Sequence, residues 1–109
     1  MNIEITNVNM FWSVVALGLV TALENELLQP EECEVLLFNP YIISVFSKKG
    51  VDKDIVQIID EGREFDDIKR LIPQCYDEAV LKTKLKILSY IKNHDIIEYP
   101  IERYFENNN

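Results

Sequence analysis

The first 47 residues contain no lysine and no arginine, although six glutamates lie among them, Glu4, Glu24, Glu26, Glu31, Glu32 and Glu34. Residues 48–109 carry thirteen acids against eleven bases, so the net charge of −8 at pH 7 comes mostly from the basic deficit of the first half. Such a surface repels phosphate backbones and anionic lipid, which makes nucleic acid and membranes poor partners and a cationic partner the natural one. Glycine is as scarce, with three residues, and proline numbers four, which disfavours a turn-rich β architecture. A single histidine and two cysteines separated by 41 positions offer neither metal-ligand spacing nor a redox pair. No glycine-rich phosphate cradle or nucleophile elbow is present. These absences predict no enzyme, no cofactor, no metal, and a reduced, cytoplasmic compartment with Cys33 and Cys75 as small buried side chains rather than a disulfide.

Long apolar runs are also missing, apart from Met10 to Leu23, MFWSVVALGLVTAL. Fourteen residues fall short of the roughly 20 needed to cross a bilayer. Met1 to Asn9 has no cation to serve as the n-region of a secretory signal. The run is therefore expected as a buried helix at the centre of the core, capped by Asn7 or Asn9 and ending near Asn25. Gly18 in its middle costs about 1 kcal/mol relative to Ala, which predicts a second helix crossing close against it.

Around this helix the apolar spacing predicts an all-α domain of about five to seven helices spanning residues 1–109, with 106–109 as a frayed tail. Pro30 opens a second helix with Val35, Leu36, Leu37 and Phe38 buried, and Asn39-Pro40 ends it. Tyr41 to Lys49 forms a third, stopped by Gly50 in a left-handed cap. Asp52 caps a fourth, striped by Ile55, Ile58 and Ile59 and ended by Gly62. Phe65 to Leu71 is short, with Phe65, Ile68, Leu71 and Ile72 inward. The longest helix is expected from about Gln74 to Asn93, with Tyr76, Val80, Leu81, Leu85, Ile87, Leu88 and Ile91 on one face and Lys84 laying its stem on apolar surface. His94 is placed to bond the last carbonyls of that helix. The segment Ile96 to Phe105 holds too many apolar groups for a free tail and is expected to dock on the domain.

Two acidic stretches are the candidate binding residues. The first is the connection DEGREFDD, with Asp60, Glu61, Glu64, Asp66 and Asp67; the second is Glu24, Glu26, Glu31, Glu32 and Glu34. For Glu31, Glu32 and Glu34 a local role at the positive end of a helix dipole is an alternative. Glu64 and Asp67 are candidates either for partner contact or for capping the short helix.

The stretch Leu36 to Pro73, with a helix ending LF-x-P followed by II-x-x-G-x-E-x-x-D-I-x-x-L-I-P, resembles a family of small bacterial proteins of unknown function. In size, acidity and lack of catalytic residues the whole chain is similar in type to immunity proteins encoded beside contact-dependent growth inhibition and other polymorphic toxins. That resemblance implies a cytosolic protein, monomeric when free, that binds a cognate basic toxin domain, often a nuclease, and blocks its active-site cleft. The alternative expectation is a non-enzymatic helical regulator or adaptor for a host protein or peptide, its acidity serving solubility.

Overall fold

The computed structural model describes residues 5–94. It is all-α: α1 (Ile5–Glu24), α2 (Pro30–Leu36), α3 (Pro40–Lys48), α4 (Lys53–Gly62), α5 (Phe65–Leu71), a 3₁₀ turn at Pro73–Cys75, and α6 (Tyr76–Asn93). The all-α expectation holds, but α2 and α5 have seven residues each, so only four of the helices run beyond two turns. Residues 96–105 and the tail 106–109 lie outside the described part. No helix among the described residues is long and apolar enough to cross a membrane.

α1 and α6 form the spine and run antiparallel. Near the end of α1, Glu24 pairs with Lys84 at 2.8 Å. Near its start, Asn9 Oδ1 accepts from the Asp52 backbone N–H at 2.9 Å, and Asp52 Oδ2 accepts from the Tyr90 hydroxyl at 3.0 Å. Asn9 is therefore inside the helix and tethers the α3–α4 junction rather than capping α1, which begins at Ile5. Lys84, expected only to lay its stem on apolar surface, ends in an ion pair that joins the two long helices.

α1 is not buried all round. Met10, Ser13, Ala16, Val20 and Leu23 face the core, whereas Phe11, Val14 and Gly18 are exposed. Among the described residues Gly18 has no atom within 4 Å of where a Cβ would stand, so no described helix crosses it. The close approach occurs at Gly62, where a Cβ would meet the Phe38 ring at 2.6–2.8 Å. Phe38 is fully buried and meets Phe65 edge to face at 6.0 Å, so the end of α4, the exit of α2 and the start of α5 converge there. Complete burial of Ile55, Ile58 and Ile59 on α4 contributes about 1.5–3 kcal/mol each against exposure.

Helix ends follow sequence chemistry closely. Asn39 caps α3, its Oδ1 accepting from Ile42 N–H at 2.9 Å, while its amide donates back to the Glu34 carbonyl at 2.8 Å. Asp52 Oδ1 accepts from Asp54 N–H at 3.1 Å to cap α4. Gly50, at φ 76°, closes α3 in a Schellman motif: Val51 N–H bonds the Phe46 carbonyl and Gly50 N–H the Ser47 carbonyl. α1 ends in the same way, but with Glu26 at φ 57° in the left-handed position and Leu27 N–H on the Ala22 carbonyl at 2.9 Å. His94 Nδ1 lies 2.8 Å from the Tyr90 carbonyl, the expected bond at the end of α6, and its ring stacks on Tyr90 at 3.9 Å. Cys33 is buried and Cys75 exposed; both are free thiols, so only one is the buried side chain expected. Burial, reinforced by Glu32, pushes the Cys33 thiol up to about 11 and leaves it an unreactive apolar group.

Candidate functional site

Seven-residue helices expose most of their surface, and α2 and α5 do so side by side. On α2 the inward positions are Pro30 and Cys33, followed by Leu37 just beyond its end. At 100° per residue this turns Glu31 and Val35 outward and leaves Glu34 half-buried on the flank. On α5 the inward residue is Phe65, with Asp66, Asp67 and Arg70 on the opposite arc. The two helices pack together, and Lys69 links them by donating to the Gln29 side-chain carbonyl at 2.8 Å while its ammonium lies 5.1 Å from the Tyr76 ring centre.

This packing brings Glu31, Glu34, Asp66 and Asp67, from stretches more than thirty residues apart, into one field. Glu34 lies within that field. Partial burial raises its carboxyl above the ordinary 4.5, the charges of Asp66, Asp67 and Glu31 raise it further, and Arg70 lowers it. Arg70 is held at 2.7 Å by Asp67, so a single guanidinium offsets four carboxylates. Beside them Val35 and Leu71 are 82% and 70% exposed. Both were expected in the core, together with Leu36 and Ile72, which are also exposed. A wheel drawn from Pro30, Cys33 and Leu37 rather than from the run Val35 to Phe38 identifies Val35 as outward.

The remaining candidates separate from this cluster. Glu61 is half-buried and receives Lys86 and, at 3.3 Å, the Thr83 hydroxyl, pinning α4 to α6. Glu24 is engaged by Lys84, and Asp60 by Arg63 at 2.9 Å within its own turn. Glu32 accepts from the Gln29 backbone N–H at 3.0 Å and belongs to the start of α2. Glu64 occupies the N-cap position of α5 without a side-chain bond; its carbonyl accepts from Ile68 N–H at 2.9 Å. Glu26 is exposed at the strained end of α1. Among the described residues no group of three His, Cys, Asp or Glu side chains is placed to hold a metal ion.

Four carboxylates with an apolar rim supply no nucleophile and no acid–base pair in a cleft. What they offer is fixed negative charge, to which a cationic group is attracted, with aliphatic side chains around it.

The chain is similar over residues 4–106 to a family described as "Protein of unknown function (DUF3969)". No curated protein and no solved structure matches it.

Proposed function

The chain belongs to this family of unknown function, whose pattern spans nearly all of it, and from that premise we propose that it is an immunity or inhibitor protein. It binds a cognate basic toxin domain, of which a nuclease is the leading type, and neutralises it by laying an acidic surface into the substrate cleft. The observation that carries this reading is the convergence of Glu31, Glu34, Asp66 and Asp67 beside exposed Val35 and Leu71. A cleft built for phosphodiester groups is lined with cations, and carboxylates spaced along two adjoining helices substitute for phosphates. The carboxylates accelerate encounter toward about 10⁸ M⁻¹s⁻¹ at low salt, and the aliphatic rim sets the dissociation rate.

The interface excludes Glu61 and Glu24, whose carboxylates bridge to α6, Glu32, which closes the start of α2, and Asp60, which belongs to α4 and not to the α2–α5 pair. That division defines the test. The full chain is immobilised, used to capture proteins from its native cytoplasm at low salt, and eluted by a salt step. One basic protein at equal stoichiometry, lost with Asp66→Lys/Asp67→Lys and kept with Asp60→Lys, supports the inhibitor reading. Capture of no basic protein, or capture indifferent to Asp66 and Asp67, refutes it.

A further inference from the structure

α6 carries an apolar face that the described residues leave uncovered. Its buried residues are Tyr76, Val80, Thr83, Ile87 and Tyr90, so of the face expected from the sequence Tyr76, Val80 and Ile87 are buried while Leu81, Leu85 and Leu88 are not. Leu81, Leu85 and Leu88 are 46%, 56% and 40% exposed. Leu81 and Leu85 line a surface groove together with Glu78, Lys82, Lys86 and Ser89, and Leu88 lies next along the same exposed face. The stripe extends in both directions at alternating steps of three and four, through Glu78, Leu81, Leu85, Leu88 and Lys92, the spacing of a coiled-coil seam. It spans about 21 Å of helix and has an acid at one end and a base at the other. Glu78 and Lys92 are both exposed, and neither is ion-paired with a described residue.

We propose that this stripe is the interface of a two-fold dimer of the chain, with α6 packed antiparallel on α6 of a second copy about an axis near Leu85. The charge pattern selects both occupant and direction. With the axis at Leu85, Glu78 of each copy faces Lys92 of the other, and Leu81 and Leu88 interleave across the seam. Lys82 then lies opposite Ser89, without a like charge. Parallel pairing sets Glu78 against Glu78 and Lys92 against Lys92, which is repulsive at both ends. An isologous contact requires a self-complementary patch, and this one is self-complementary in one direction only. The seam is smaller than the roughly 1,600 Å² of a standard interface, so assembly is concentration-dependent. It uses α6 and not α2 or α5, so it stands independently of the inhibitor reading. It differs from the free monomer that the resemblance to immunity proteins implies.

The test is sedimentation equilibrium of the full chain over a wide concentration range, with far-UV circular dichroism to show that each variant is folded. The mass is expected to rise from 12.8 kDa toward twice that value. Glu78→Lys and Lys92→Glu are each expected to weaken the dimer about tenfold, and the double swap to restore it, because the pairs are re-formed with reversed sign. Leu85→Asp is expected to abolish it while leaving the helical signal unchanged. A monomer at every concentration overturns the proposal, whether the stripe then proves to be covered by another segment of the chain or by a different protein. So does a dimer that ignores Glu78→Lys, or one that the double swap does not rescue.

Discussion

Gly62→Ala is expected to destabilise the protein, whereas Gly18→Ala, the same change in the middle of another helix, is expected to stabilise it. At Gly62 the new methyl carbon would stand 2.6 Å from Phe38 Cγ and 2.7 and 2.8 Å from its Cδ atoms. These are the ring atoms nearest the backbone, and swinging the ring away requires a χ1 change inside a site that is 1% exposed and backed by Phe65. Overpacking of this kind costs about 1–3 kcal/mol. The helix-propensity gain of Ala over Gly, about 1 kcal/mol in a helix interior, is smaller here because Gly62 is the last residue of α4. The net loss is about 1–2 kcal/mol, a fall in Tm of about 5–10 °C for a domain of this size. At Gly18 nothing stands within 4 Å, so the propensity term acts alone and Tm rises by about 3–5 °C. Thermal unfolding followed by circular dichroism reads both. The double variant Gly62→Ala/Phe38→Leu, in which the obstructing ring is replaced, should recover at least about 1 kcal/mol relative to additivity. A Gly62→Ala protein as stable as the parent, or a double variant that is merely additive, would refute the packing argument.

Glu26→Gly relieves a left-handed backbone that a side chain disfavours by about 1 kcal/mol, and Tm should rise by about 3–5 °C; an unchanged or lower Tm counts against strain at this cap. Tyr76→Phe removes a buried hydroxyl that has no hydrogen-bond partner among the described residues, so urea unfolding should show stability equal to the parent or up to about 1 kcal/mol greater, not the loss normally caused by deleting a buried polar contact. For Glu34 the sign follows from a carboxyl raised in the folded state by partial burial and by Asp66, Asp67 and Glu31. Its contribution to stability is fully present below its ordinary value of 4.5 and is lost as pH rises through the folded value. Glu34→Gln should therefore stabilise the protein at pH 7 by about 0.5 kcal/mol and leave it little changed at pH 4, measured by denaturant titration at the two pH values.

The boundaries of the helices were legible because their causes are local. Pro30 at a first helical position, Asn39 and Asp52 accepting from the first turn, Gly50 in a left-handed cap and Pro73 ending α5 each act within a few residues, and the chain carries those residues where they are needed. The acidic character of the surface was equally open to reading, since charge needs no partner to be counted. Which face each helix buries was less accessible. In α6 two apolar arcs compete, and packing against α1 and α4 selects Thr83 and Tyr90 over Leu81, Leu85 and Leu88 because Tyr90 reaches Asp52 and Thr83 reaches Glu61. Gly18 and Gly62 are indistinguishable by local propensity, and only the position of Phe38 gives one of them a steric role.

The candidate site divides along the same line. Ten acids could be named from the chain, but their grouping in sequence is not their grouping in space: Lys84 and Lys86 tie Glu24 and Glu61 to α6, Arg63 engages Asp60 on α4, and the packing of α2 on α5 gathers Glu31, Glu34, Asp66 and the Arg70-paired Asp67 from both stretches. Composition and local spacing determined that this is an acidic bundle of helices with these ends. The tertiary structure decided which carboxylates are left to act together, because a carboxylate's field is felt over a few ångströms in space and those distances are set by helix packing, not by position along the chain.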